Sequence, residues 1–431
     1  MDLEKGRRAL LGGSVGASSP FTVAKALGSE IWDTSGKRYI DCTAQAWSLS
    51  VGHSHPRIVA AVSEHLKSYG HIRTSFDTEP KLLLAKKLAE IAPGRLKKVA
   101  FCLSGSEAME GAMKLAMRNS EYKSQTFVSL YDGFHGRTLG TMSLSWPHPK
   151  SPFSQWQGPV VRVPQAYCYR CPVHMKFPSC QFECVRVARN SMYANLSSRP
   201  AGLVMEPVQG NGGMIAFPPG YLKRMRELAD DFGTLLIFDE IQTGFGRVGE
   251  WFASILYEVQ PDIMVIGKGL GGGFPLFGTM MDHELQGFQA GDHSFTFAHF
   301  SPSMVAALET IKIIEEENLL MRVNVLGTAV QMRLLDMQKK YEFIGDVRGV
   351  GLMIGIELVV DRISKCPAPK LTHRIVERAL QRGVILGDSK YGGLGNVLKF
   401  KPPLNIPEDL AMDALDVLDE IFSTVHEGEI E

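Results

Sequence analysis

The chain has 431 residues, 45% of them apolar and 21% charged, enough to bury the core of a large α/β domain with a smaller partner. Lys plus Arg equals Asp plus Glu at 46 each, a balance that argues against nucleic acid or an anionic membrane as the main partner. No run approaches the ~20 apolar residues of a membrane span, and the first stretch holds no apolar segment of signal-peptide length, so the expected compartment is the cytoplasm.

The first 30 residues are rich in Gly and Ser and read as irregular at their start. Ile31–Asp33 and Arg38–Asp41 flank an Asp-Thr-Ser-Gly turn and predict a hairpin. Pro56 opens a helix carrying Ile58, Val59, Val62 and Leu66, and Pro80 lies in the first turn of a second helix that ends before Pro93-Gly94. Strands and helices then alternate, the signature of a parallel sheet. Strands are expected at Val99–Leu103, Thr126–Leu130, Val160–Val163, Ala201–Met205, Leu235–Phe238 and Ile263–Ile266. Helices are expected at Glu107–Arg118, Tyr221–Phe232 with Gly233 as a left-handed cap, and Met304–Glu317. Beyond them lie strands Met353–Val360 and Val397–Phe400 and helices Leu371–Arg382 and Pro407–Val425, an α+β pattern that the N-terminal hairpin could join. The resulting fold class is α/β, divided as 1-50 (N-terminal segment of a small domain), 51-305 (large domain) and 306-431 (C-terminal small domain).

Chemistry-bearing residues collect at strand ends, where open α/β sheets place their ligands. Val99–Leu103 runs into Ser104-Gly105-Ser106-Glu107 at a helix start, which reads either as an anion cradle or as a Ser-x-x-Glu capping box. Thr126–Leu130 runs into Phe134-His135 between glycines, which could face a planar ring or form a polar loop with a packed Phe. Ala201–Met205 ends at Glu206, Leu235–Phe238 at Asp239, and Ile263–Ile266 runs to Lys268. Together these suit pyridoxal 5'-phosphate: a helix-start cup for phosphate, an aromatic stacker, a carboxylate that keeps the pyridine nitrogen protonated, and a lysine amine for the aldehyde that later carries protons.

With Gly52-His53-Ser54-His55-Pro56, Glu206-Pro207-Val208-Gln209-Gly210, Asp239–Arg247, Gly267-Lys268-Gly269, Thr296-Phe297, Arg348–Gly351 and Pro402-Pro403-Leu404 added, the sequence resembles the class III pyridoxal-phosphate-dependent aminotransferases along nearly its whole length. The resemblance implies the type I fold, a large domain with a mostly parallel seven-stranded sheet and a small domain made from both chain ends. It also implies Lys268 as the Schiff-base lysine, Asp239 on the pyridine nitrogen, Gly105 and Ser106 on the phosphate, Phe134 stacked on the ring with His135 beside it, Gln242 near the ring hydroxyl, and Glu206 in the cofactor and substrate site. Thr296 would reach the phosphate of the other subunit's cofactor, making a homodimer with interface sites. The partners implied are a small-molecule amine donor and a 2-oxo acid acceptor, exchanging an amino group by a ping-pong mechanism. Racemisation, epimerisation or decarboxylation with the same cofactor is the alternative, and a non-enzymatic thiol or zinc protein on the old fold a third that intact Lys268 and Asp239 oppose.

The sequence departs from the family in two places. Many members carry an arginine three residues before Pro-Pro-Leu that binds the substrate's α-carboxylate; here it is Lys399, which lacks the planar fork. A Glu206–Lys399 pair is open, and weaker or differently placed carboxylate recognition is expected. Where the family usually has Gly-Gly-Asn-Pro, this chain has Ala298-His299-Phe300-Ser301. Trp47 is expected as a substrate-facing wall, and Trp47, Phe300 and Tyr69 point to apolar amines or amino acids.

Four further patterns are weighed. Gly244-Phe245-Gly246-Arg247-Val248-Gly249 with Asp262 matches the dinucleotide fingerprint, but no amphipathic helix opens at its third glycine. Cys168, Cys171, Cys180 and Cys184, in a Cys-rich loop at 165-185, could bind zinc, pair or stay free, and no metal ligand is assigned. His53 and His55 read as turn residues, and the Asn195-Leu196-Ser197 sequon as chance.

Overall fold

A seven-stranded sheet organises the large part of the chain in the computed structural model, which describes residues 20–426 except 122, 146–152, 154–155, 157 and 390–393. Residues 1–19, where irregular chain is expected, lie outside that set. The hairpin forms as β2 (Glu30–Asp33) and β3 (Arg38–Asp41), antiparallel, with Asp33 capping its own turn by accepting from the Ser35 and Lys37 amides. A strand absent from the sequence reading, β1 (Val23–Leu27), pairs antiparallel with β2. It is an edge strand with four of its five residues exposed, so it carries no buried face to betray it. Val384–Ile385 pairs parallel with β3, which joins the hairpin to the chain's C-terminal part.

Helices α1 (Pro56–Leu66) and α2 (Glu79–Ile91) begin where proline fits the first turn. The central sheet then assembles from β4 (Leu96–Cys102), β5 (Phe127–Leu130), β6 (Val160–Val163), β7 (Gly202–Met205), β8 (Leu235–Asp239), β9 (Ile263–Ile266) and β10 (Phe277–Asp282). Their spatial order is β4-β10-β9-β8-β7-β5-β6. Only β10 runs against the rest, pairing antiparallel with both β9 and β4. The strands are buried apolar runs, as expected of a sheet covered on both faces. Helices α3 (Gly105–Asn119), α4 (Glu183–Asn195) and α5 (Tyr221–Asp231) supply cover; Gly233 after α5 takes φ +57°, the left-handed cap expected of it.

Helix α6 (Ser301–Glu316) leads into α7 (Leu319–Lys340), a 22-residue helix that the sequence pattern hides. Met321, Val325, Met332 and Leu335 are exposed on it, so its apolar residues do not confine themselves to the buried face. A second sheet follows, of β11 (Ile344–Val350), β12 (Met353–Leu358) and β13 (Val397–Phe400) with Gly387–Asp388, packed by α7 and α8 (Pro369–Gln381), on which α9 (Glu408–His426) lies in turn. Buried Arg247 stitches the two sheets together, donating to the carbonyls of Leu352 (3.0 Å) and Pro402 (2.6 Å). Among the described residues no helix is long and apolar enough to cross a membrane.

Candidate active site

Parallel strands deliver their C-terminal ends to one edge, and that edge holds a cavity of about 230 Å³. Ser104, Gly105, Ser106, Phe134, His135, Glu206, Asp239, Gln242 and Lys268 all line it, so the sequence-predicted set from five strand ends is gathered in one place.

At the end of β4 the capping box and the open helix start coexist. Ser104 Oγ accepts from the Glu107 amide (3.2 Å), while Glu107 reaches back to the amides of Leu103 (2.9 Å) and Ser104 (3.1 Å). The box fixes the turn and leaves the Gly105 and Ser106 amides, the first two of α3, without an intrahelical acceptor. A Cβ on Gly105 would stand 3.0 Å from Ile241 Cδ1, so a larger residue here would press on the Ile241 side chain at this end of the cavity. The two readings of Ser104–Glu107 are therefore complementary.

Asp239 is 5% exposed. Its Oδ2 pairs with His135 Nδ1 at 2.9 Å and its Oδ1 accepts from the Ile241 amide at 3.2 Å. His135 is 2% exposed, and its Nε2 has no partner. Gln242 Oε1 is likewise buried and unpartnered. Glu206 turns both oxygens to backbone, accepting from the Phe134 amide (3.0 Å) and the Gly210 amide (2.9 Å). Burial pushes its carboxyl up to about 7, with Asp239 adding to the push and His135 opposing it. The Glu206–Lys399 pair left open by the sequence does not form among the described residues: Glu206 accepts from these two amides, and the Lys399 amine lies 5.7 Å from the Trp47 ring centroid.

Lys268 follows β9 with φ +42°, in the left-handed region, after Gly267, whose missing side chain makes room for the Phe277 ring. The residue is half-buried at the cavity wall, and the desolvation there lowers its amine from 10.5 to about 8 against the opposing pull of Asp239 and Glu206. Phe134 lies under the Arg137 guanidinium, 5.6 Å from its ring centroid. Trp47 is 7% exposed and stands between lysines, with Lys268 Nζ 4.8 Å from its ring centroid.

Other predicted residues fall elsewhere. Thr296 is exposed, and Thr296, Tyr69, Phe300, Trp47 and Lys399 do not line this cavity. The dinucleotide lookalike is a turn: Phe245, Gly246 and Gly249 all take positive φ, the next helix is the four-residue Ala253–Leu256, and Asp262 is engaged by the Leu236 amide (2.7 Å) and Arg226 (2.8 Å). Cys168, Cys171, Cys180 and Cys184 line one small cavity as free thiols, and among the described residues no three potential ligands are arranged to hold a metal. His53 pairs with buried Asp41 at 3.0 Å, in keeping with a turn role. The sequence reading missed Ile241, Phe277 and Arg137, which line the cavity, and Lys401, whose Nζ lies 3.3 Å from the Trp47 ring centroid. Lys401 had a signal: it lies two residues beyond Lys399, on the same face of an extended strand.

Comparison with known proteins agrees with this geometry. The family model described as aminotransferase class-III matches residues 14–422. A leucine/methionine racemase from Thermococcus litoralis is 37% identical, over 96% of this chain and 93% of its own. An acetylornithine aminotransferase from Methanosarcina acetivorans is 36% identical, over 93% of this chain and 91% of its own. Among solved structures, an amine transaminase from an uncultivated Pseudomonas species, in its PLP-bound form, superposes with a TM-score of 0.89 at 28% identity, covering 96% of this chain and 98% of that one.

Proposed function

The chain belongs to the class III aminotransferases, pyridoxal-phosphate-dependent enzymes of fold type I that pass an amino group from an amine or amino acid to a 2-oxo acid, and from that premise we propose which residues hold the cofactor and which do the chemistry. The observation that carries the assignment is the half-buried Lys268 amine, lowered in basicity, sharing a cavity with an acid, Asp239, that a histidine backs from behind. The residues present fit the cofactor: the bare amides of Gly105 and Ser106 suit a phosphate, and the orphaned Gln242 Oε1 suits a ring hydroxyl. Asp239 has a lone pair left for a protonated ring nitrogen, with His135 Nδ1–H donating to its other oxygen and holding the carboxylate in place. Phe134 and Ile241 supply flat and apolar surface for the ring.

When bound, pyridoxal phosphate supplies the electron sink that lets the C–H bond beside the substrate's amino group break. Lys268 is the group that joins the aldehyde and, once released from it, takes and returns that proton at Nζ. Its lowered basicity suits a carrier that must both accept and release a proton near neutral pH. Glu206 borders the same space, poised by burial near neutrality, and positions the Phe134 loop through that residue's amide. The protein acts as a homodimer in this proposal, with Thr296 turned to the partner's phosphate; the exposure of Thr296 together with Phe76, Leu82, Leu83 and Phe297 supports it. Light scattering on the eluted protein would measure the mass directly, and a monomer would refute it.

The test of function is spectroscopic. Holoenzyme mixed with a panel of amines and amino acids, without acceptor, should lose the yellow aldehyde-derived band as the amino group moves to the cofactor, and the rates rank the donors. A second reading, racemisation, is favoured by the 37% identity to a leucine/methionine racemase. Loss of optical activity without lasting spectral conversion would select it. A Lys268→Ala protein with normal turnover would refute both.

A further inference from the structure

Trp47 is held where it is by an unusual backbone. Ala44, Gln45, Ala46 and Trp47 take φ of +44°, +43°, +60° and +70°, four successive non-glycine residues in the left-handed region, at a cost of about 1 kcal/mol or more each. Asp41 braces the turn: Oδ1 accepts from the Thr43 amide (2.8 Å) and hydroxyl (2.5 Å), and Oδ2 faces Gln45 Nε2 (3.2 Å) and His53 Nε2 (3.0 Å). The outcome is a buried indole whose own N–H has no partner.

What the indole meets explains the effort. Lys401, Lys268 and Lys399 place their ammonium groups 3.3, 4.8 and 5.7 Å from its ring centroid. Lys399 and Lys401 are 3% and 4% exposed, and neither forms an ion pair with a carboxylate among the described residues. Lys401 has one hydrogen bond, to the Thr43 carbonyl at 3.3 Å. The carboxylates whose charges bear on the pair are Asp388 and Glu206 at Lys399 and Asp41 at Lys401; Asp41 accepts from Thr43, Gln45 and His53, and Glu206 from two backbone amides. Burial holds Lys399 to about 8 and Lys401 well below the ordinary lysine value. Buried cations are normally paired, and a ring face offsets only part of the desolvation cost. Once Lys268 is committed to the cofactor, two amines on one strand face remain with an aromatic cover and, among the described residues, no carboxylate in an ion pair with either.

Resting on the aminotransferase reading, we propose that Lys401 and Lys399 together grip a carboxylate of the substrate, the two ammonium groups standing in for the two arms of a guanidinium, with Trp47 as the cover that the carboxylate displaces. Lys401 is then the specificity-determining residue that favours amino acids over plain amines.

The test uses holoenzyme and straight-chain monocarboxylates from propanoate to hexanoate, which carry no amino group and cannot react. Binding is read from intrinsic fluorescence, and the responding signal should vanish in Trp47→Phe. In Lys401→Met the best acid should bind roughly tenfold or more weakly, as loss of a charge-assisted hydrogen bond implies, while Lys401→Arg should stay within about threefold of wild type. The same Lys401→Met change removes a buried unpaired cation, so the unliganded protein should melt at a higher temperature. Unchanged acid affinity in Lys401→Met, or a fluorescence response that survives in Trp47→Phe, would overturn the proposal; Lys401→Gln repeats the measurement should the methionine variant misfold. The acids are titrated without any amine. Failure of donor-driven spectral conversion would therefore count against the aminotransferase reading alone, and failure of acid binding against the lysine pair alone.

Discussion

Lys268 can be tested through the pH at which it captures its cofactor. Burial holds its amine at about 8, where an ordinary lysine stands at 10.5, and the nearby Arg137 charge reinforces the shift while Asp239 and Glu206 resist it. Only the neutral amine attacks an aldehyde. With a value of about 8, roughly 3% of the amine is neutral at pH 6.5, about half at pH 8 and about 90% at pH 9. The rate of capture by apoprotein should therefore rise about 30-fold between pH 6.5 and 9 and level off above pH ~8.5. An unperturbed lysine would instead rise about 300-fold over the same span and still be climbing. Stopped-flow absorbance after mixing apoprotein with pyridoxal phosphate gives the rate, and the cofactor's own phosphate is largely ionised throughout, with a second pKa of about 6. Borohydride reduction and peptide mapping identify the bonded residue. A rate that climbs through pH 9 without bending, or label on a lysine other than Lys268, would refute the reasoning. The same shift has a consequence for stability. Between about pH 8 and 10.5 the folded apoprotein binds fewer protons at Lys268 than the unfolded chain, so the apoprotein should gain stability as pH rises through that window.

Asp239→Asn removes the fixed anion while leaving Lys268 free to react, so cofactor should still be captured but the half-reaction with a donor should slow by about 10²–10³-fold; a loss under tenfold would remove Asp239 from the chemistry. Gly105→Ala places a Cβ 3.0 Å from Ile241 Cδ1 at the helix start, and should weaken cofactor affinity by about tenfold while leaving apoprotein stability within about 1 kcal/mol, since alanine favours the helix; equilibrium dialysis and urea melts separate the two. Glu357→Gln strips the buried acid that Arg170 Nε (2.5 Å), Arg348 Nη1 (2.6 Å) and the Tyr167 hydroxyl converge on, and should destabilise the protein by about 2 kcal/mol or more in urea melts, with a cost under ~1 kcal/mol refuting the view that this acid holds two partly buried guanidinium groups.

The site was legible where its residues sit at the ends of strands that are themselves unmistakable. Leu235–Phe238 and Ile263–Ile266 are short, buried and parallel, so the polar residues terminating them could be read directly, and the structure gathers Asp239 and Lys268 in one cavity. Legibility failed where pattern and burial part company. β1 has no buried face, α7 carries exposed apolar residues around its surface, and β10 enters from a glycine-rich turn against the direction of its neighbours. It failed differently at Lys401. Lys399 drew notice because family motifs mark its position, whereas Lys401 is marked only by the period of two along β13 and its continuation. The positive φ of Ala44–Trp47 leaves no trace in residue type at all, since no glycine or asparagine stands there to announce it. That backbone makes sense only beside the lysines it covers. A sequence can pay for four left-handed residues if they shield buried amines until a carboxylate arrives. Under the proposed carboxylate grip, the departure at Lys399, the second lysine at Lys401 and the strain at Trp47 are thus one feature seen at three places, and substrate choice would lie there rather than at the cofactor.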